Sequence, residues 1–198
     1  MADLILGNTT VMTESGGTVT LGSSVLADKI LQIDYGMHSS TYYDSGQGSA
    51  FPGTTLPGQL GDGSVNLTPT SSSNFIEISY TMHCGQQATW TAFFFRTYYS
   101  VDGGSTYAYV TDTGGAAIGY HSGHNGSPFI ASACVIKPVT FFTSTNQNIK
   151  FRMNSCKEAS SSIGLALNVN TNGNDTSKTT NFSGACSSLI VKELKGPL

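Results

Sequence analysis

The chain has 198 residues, 11% of them charged, a formal net charge of -3 and 23 glycines. So few long charged side chains leave little to coat solvent-exposed helices, and the mild acidity gives no electrostatic reason to bind nucleic acid or an anionic membrane. No apolar stretch approaches the roughly 18 residues of a membrane span, and the opening Met1-Ala-Asp-Leu-Ile-Leu-Gly has neither the basic region nor the apolar length of a signal peptide.

Residues 1–26 read as an N-terminal arm. Leu4-Ile5-Leu6, Val11-Met12 and the pair Val19 and Leu21 are short extended pieces separated by Gly7-Asn8 and Gly16-Gly17. Pieces this short cannot bury an apolar side alone. Leu4, Leu6, Val19 and Leu21 are therefore expected to form an interface, with copies of the same arm or with a larger assembly. The plainer reading lays the arm on its own domain.

Residues 27–198 read as one domain built from about ten short strands. Over 29–39, Leu31, Ile33, Tyr35 and Met37 alternate with Gln32 and Asp34, the pattern of a half-buried strand. Residues 40–63 form the longest irregular segment, rich in Gly, Ser, Thr and Pro, with Tyr42, Tyr43 and Phe51 as candidate ligand or receptor contacts. A short strand at 64–68 is followed by 75–84, where Ile76, Ile78, Tyr80 and Met82 share a face. Residues 90–111 read as a hairpin turning at Asp102-Gly103-Gly104-Ser105, with Arg96 the lone charge in its first strand; its Tyr98, Tyr99, Tyr107 and Tyr109, with Tyr42 and Tyr43, read either as rings that stack on sugars or fill a protein interface or, at alternating positions, as core residues. Strands are expected at 129–136, 139–143, 148–156 and 163–169, with no helix. The last strand, 187–194, has the apolar run Leu189-Ile190-Val191 and is expected to slot between earlier strands and seal the core. The fold class is all-β, an antiparallel jelly-roll sandwich with an extended N-terminal arm.

Chemistry is sparse. His121 and His124 form the one close histidine pair, with Asp112 and Asn125 as weak further ligands, so no metal site is assigned. Asp34, Asp44, Asp62, Glu77, Asp102, Asp112 and Glu158 include no pair whose spacing marks a glycosidase, and most sit in turns, where aspartate bonds its own backbone. No nucleophile elbow, phosphate loop or dinucleotide fingerprint is present. No catalytic residue, cofactor or metal is expected. Cys84, Cys134, Cys156 and Cys186 lie at no metal-ligand spacing and read as buried thiols, with one or two disulfides as the other reading.

Three motifs, in order, carry a resemblance: Lys29-Ile-Leu-Gln-Ile after a short leader, Leu67-Thr-Pro-Thr-Ser-Ser-Ser-Asn-Phe-Ile-Glu-Ile, and Ser187-Ser-Leu-Ile-Val-Lys-Glu-Leu. Over roughly residues 27–195 the chain resembles the fibre and knob domains of tailed bacteriophages, marine and cyanobacterial ones especially. Where that family has a serine- and threonine-rich first loop, this chain has the proline- and glycine-containing segment 40–63. The resemblance implies a jelly-roll knob of the kind shared with C1q-like and tumour-necrosis-factor-like domains. It also implies a homotrimer on a virion surface, assembled in host cytoplasm, with phage capsid or tail proteins as partners. A chain that starts at its own Met1 without a long shaft favours a capsid decoration, cement or head-fibre protein. The alternative is a tail-fibre tip that recognises a host surface glycan through 40–63 and 114–126.

Overall fold

The computed structural model describes residues 2–6, 9–15, 18–21, 29–44, 50–86, 93–111, 129–143, 147–157, 165–170, 180–181 and 186–196, with the backbone alone over 2–21. In the first 21 residues, β1 (Ala2–Leu6), β2 (Thr9–Ser15) and β3 (Thr18–Leu21) pair as an antiparallel sheet in the order β1-β2-β3. The side chains of Leu4, Leu6, Val19 and Leu21 lie outside the described residues.

From residue 29 onward the fold is an antiparallel all-β sandwich. Its six-stranded sheet consists of β4 (Ile30–His38), β5 (Tyr42–Asp44), β8 (Phe75–Gln86), β11 (Phe129–Pro138), β13 (Leu165–Leu167) and β16 (Ser187–Leu194). The five-stranded sheet consists of β6 (Thr54–Thr55), β7 (Asn66–Leu67), β9 (Phe93–Ser100), β10 (Ala108–Tyr109) and β12 (Ile149–Lys157). A separate pair joins β14 (Val169–Asn170) to β15 (Thr180–Asn181). As expected, β16 lies between earlier strands: Leu189 faces Gly36 of β4 on one side and Tyr80 of β8 on the other. On the far edge of β8 lies β11, giving the local order β4-β16-β8-β11.

The core forms where the inner faces of the two sheets meet. Ile76, Ile78, Tyr80 and Met82 of β8 and Leu189 and Val191 of β16 join one cluster with Phe93 and Phe95 of β9 and Phe151 and Met153 of β12. Each of these large side chains, taken fully out of water, contributes about 1.5–3 kcal/mol. The alternation read from the sequence at 75–84 therefore points the right way.

At 139–143 the expectation of a strand is corrected. Val139–Phe142 form a single helical turn, α1, which follows the extended Pro138 and is closed at its end by the Thr143 amide donating to Val139 O. Proline donates no ladder hydrogen bond, so β11 ends there. One helical turn then brings Val139 and Phe142 to the same side, where both are buried. Phe142 packs edge-on against Tyr99 at 5.1 Å and Phe151 at 5.8 Å. In addition, segment 40–63 is not wholly irregular, since it contains β5, β6 and a 3-10 turn at Gly58–Leu60.

A second correction concerns β4. Its alternation is present but its sense is reversed: Leu31, Ile33, Tyr35 and Met37 face outward, while Gln32, Asp34 and Gly36 face the domain. The cause is the segment that follows, whose Leu56, Leu60 and Val65 fill the core beneath this strand. Asp34 Oδ2 accepts from the Asn66 amide at 2.8 Å, and Gln32 Nε2 donates to Thr68 O at 2.7 Å. Gly36 permits the close approach, because a Cβ there would stand 2.6 Å from both Gln59 O and Val65 Cγ2. At the free edge of β4, the Tyr35 amide donates to Asp34 Oδ1 and the Met37 amide to Gln59 Oε1.

Two buried polar groups fasten strand ends. Asn168 holds a left-handed φ of 54° between β13 and β14, a conformation asparagine tolerates better than most residues. Its amide group donates to His38 O and Ser40 O, and its Oδ1 accepts from Ser187 Oγ at 2.9 Å. Glu193, near the end of β16, is fully buried. Its Oε1 accepts from Thr70 N at 2.7 Å, Thr70 Oγ1 at 2.8 Å and Asn74 Nδ2 at 2.7 Å, and its Oε2 accepts from Gln32 Nε2 at 2.9 Å. Glu193→Gln replaces one acceptor oxygen by a donor inside this ring of donors. The expected outcome is a loss of about 2–4 kcal/mol in unfolding free energy, read from urea denaturation with an unchanged m-value.

Candidate interaction surfaces

Two opposite faces of the sandwich carry chemistry. The first is the outer face of β4-β16-β8-β11. At one margin stand Ile33 and Tyr35, each 58% exposed, and Met37 at 49%; at the other stand Ile130 at 64% and Ile136 at 45%. Between them lie Ser79, Thr81, Ser188 and the half-buried Ile190. The charges in this central strip, Lys192 and Glu77, pair with each other at 2.6 Å. With Leu31 and the exposed Cys134, apolar side chains stand open along both margins of the face, on either side of this polar strip.

The second lies on the outside of the five-stranded sheet. Register places Arg152 of β12 opposite Tyr98 of β9, and Tyr98 opposite Tyr109 of β10. Arg96 sits one step along β9, opposite Asn154. The guanidinium of Arg96 lies 4.1 Å from the Phe51 ring centre and 5.4 Å from that of Tyr109. That of Arg152 lies 3.8 Å from Tyr107 and 6.0 Å from Tyr98. Burial pushes the Tyr98 hydroxyl above its usual value, while the Arg96 charge and hydrogen bond pull it back.

The supports of this ladder are local. A Cβ on Gly63 would meet the Tyr107 hydroxyl at 2.5 Å and one on Gly104 at 3.2 Å, so two left-handed glycines form a slot for that ring's end. Asn154 Nδ2 donates to Pro52 O at 2.9 Å, holding the Phe51 loop down. Asp102 organises the 100–106 turn: its carboxylate accepts from Ser100 Oγ at 2.6 Å, Thr106 Oγ1 at 2.6 Å and Thr106 N at 3.0 Å. The Ser100 hydroxyl first, and then Thr106, hold its carboxyl well below the usual carboxylate range.

Of the candidate contacts expected from sequence, Phe51 takes part in this ladder. Tyr42 packs half-buried against the core, edge-on to His38 at 6.4 Å, and the Tyr43 side chain lies outside the described residues. Tyr98, Tyr107 and Tyr109, aromatics the sequence also singled out, take part as well, whereas Arg152, one of the six ladder residues, was missed by sequence reasoning. The available signal was that the chain has only two arginines, each in an alternating strand among aromatics. His121, His124, Asp112 and Glu158 lie outside the described residues, as does segment 114–126. Among the described residues no three His, Cys, Asp or Glu side chains gather as metal ligands. The carboxylates serve structure: Asp62 accepts from Ser64 N at 2.8 Å, and Glu77 pairs with Lys192. All four cysteines are free thiols. Cys84 and Cys156 are buried as expected, whereas Cys186 is only half-buried and Cys134 is exposed because its side of β11 faces outward. Burial pushes the Cys84 thiol well up.

No protein family matches the chain, and no curated protein matches it. Solved structures that match include that of infectious bursal disease virus, Gx strain, at 9% identity and a TM-score of 0.34. The match covers 96% of this chain and 45% of that one, so this chain spans less than half of the viral chain's length. At that TM-score the likeness carries no functional argument.

The Asp102 turn yields a pH test. A carboxyl whose folded pKa is depressed contributes stability that is full above its unfolded value, about 4, and is lost as pH falls through the folded value. The melting temperature of the wild type is therefore expected to fall below about pH 4 more steeply than that of Asp102→Asn. Parallel acid profiles measured by thermal melts would show that the turn does not depend on the charge.

Proposed function

We propose that this chain is a structural protein of a virion surface, in the tailed-phage setting its motifs resemble. In this reading it assembles as a homotrimer and serves as a capsid decoration, cement or head-fibre protein. The observation that carries the reading is the open apolar face of β4-β16-β8-β11. Ile33, Tyr35 and Met37 at one margin and Ile130 and Ile136 at the other are large apolar side chains open to a partner surface. The internally paired Lys192 and Glu77 leave the strip without net charge, so copies of the same face do not repel. The capped edge of β4 favours meeting through this face over pairing edge to edge.

A tail-fibre tip that recognises a host surface glycan is the second reading, favoured by the arginine and tyrosine ladder on the opposite side of the sandwich. Gold-labelled antibody on particles from the source lysate separates the two. Label over the head is expected; label at the tail tip would promote the second reading, and unlabelled particles would overturn the virion assignment.

The assembly itself has a separate test. Sedimentation equilibrium of the full chain at micromolar concentration is expected to give a trimer, and the double variant Ile33→Lys, Tyr35→Lys a monomer with an unchanged circular dichroism spectrum. A monomeric wild type, or a variant that stays trimeric, would remove the face from the interface.

A further inference from the structure

The ladder of Phe51, Arg96, Tyr98, Tyr109, Arg152 and Tyr107 holds more binding capacity than its structural role uses. Both arginines of the chain are on this one face. Among the described residues neither forms an ion pair with a carboxylate. Arg152 Nε is buried without a hydrogen-bond partner, and so is the Oδ1 of Asn154, which is 1% exposed. The nearby carboxylate of Asp102 is occupied by the donors of its own turn. Lys150 shares the face, two residues before Arg152 on the same strand. Each guanidinium lies over a ring, and with one Arg96 donor spent on Tyr98 and Arg152 Nε buried, the remaining N–H groups are the donors a carboxylate could take.

We propose that this ladder is a binding site for an acidic saccharide, with Arg96 and Arg152 each taking a sugar carboxylate and the half-exposed Tyr109 receiving the C–H face of a sugar ring. Arg96 and Arg152 are diagonal neighbours on one sheet face, and their guanidinia lie over different rings, Phe51 and Tyr107, which suits carboxylates carried on different sugar units better than one group held by both. Nucleic acid is a poorer fit: three cations on a chain of net charge -3 offer little against a phosphate backbone. An acidic peptide is also a poorer fit, because peptides dock along free edges or in grooves and this is the flat face of a sheet. The site holds for either location on a particle, and it is on the sheet opposite the proposed trimer interface, so it stands or falls independently of the virion reading.

The test is calorimetric titration of the full chain with galacturonate, mannuronate and sialyl oligosaccharides, beside neutral galactose oligosaccharides, poly-glutamate and a single-stranded oligonucleotide. At least one acidic saccharide is expected to bind at least about tenfold more tightly than the neutral ones, with affinity falling as salt rises. Arg96→Gln and Arg152→Gln are each expected to weaken it by about tenfold or more, and Arg96→Lys by nearly as much, since lysine lacks the planar fork. Tyr109→Ala removes an exposed ring without touching the core and is expected to cost severalfold. The monomeric Ile33→Lys, Tyr35→Lys variant should still bind. Failure of the folded wild type to bind any acidic saccharide would overturn the proposal, as would affinity indifferent to both arginine substitutions. Equal or tighter binding of poly-glutamate or the oligonucleotide through the same arginines would reassign the ligand class.

Discussion

The carboxylate of Glu193 is the point on which this fold closes. It is fully buried and takes four hydrogen bonds from Thr70, Asn74 and Gln32. The donors come from β4 and from the turn before β8, so one side chain at the end of the last strand joins that strand to both its neighbours. Asn74 extends the connection: its carbonyl accepts from the Val139 amide at the start of α1, and its Oδ1 accepts from the Gly196 amide. Among the described residues this buried carboxylate has no cationic partner, and neutral donors satisfy its oxygens instead. The arrangement favours one register of β16, because a slip by one residue would turn Glu193 outward and break all four bonds.

Much of the sandwich was legible because period-2 alternation and turn chemistry are local signals. The strands at 75–86, 93–100 and 187–194 announced themselves through β-branched and aromatic residues between Gly, Ser and Asn turns. The helical turn at 139–142 did not, since Val-Thr-Phe-Phe has the composition of a strand and its conformation is set by Pro138 before it and the aromatic pocket of Tyr99 and Phe151 around it. The direction of β4 was hidden for a different reason. Alternation defines two faces without saying which is inside, and here the polar one turns inward to hold residues that come 20 to 40 positions later. The ladder was largely legible: Phe51, Arg96, Tyr98, Tyr107 and Tyr109 drew notice, but only the register of β9 against β12 brings Arg152 to them.

The two outer faces thus differ in kind. One has exposed apolar side chains along two margins and a polar strip between them whose charges pair internally. The other stacks cations on rings beside polar groups whose valences are incomplete, and suits a small or extended polar ligand. A sandwich keeps such surfaces apart because side chains on alternate positions of every strand point to opposite sides, so substitutions on one face leave the other largely undisturbed.

The caps on the outer edge of β4 have a consequence for growth. An apolar sheet face beside an unprotected edge offers two ways to add copies, and addition at an edge has no natural end. With the amides of Tyr35 and Met37 already engaged by Asp34 and Gln59, an incoming strand finds those donors occupied. Addition of a strand at this edge of the sheet is thereby disfavoured, whatever the local density of copies.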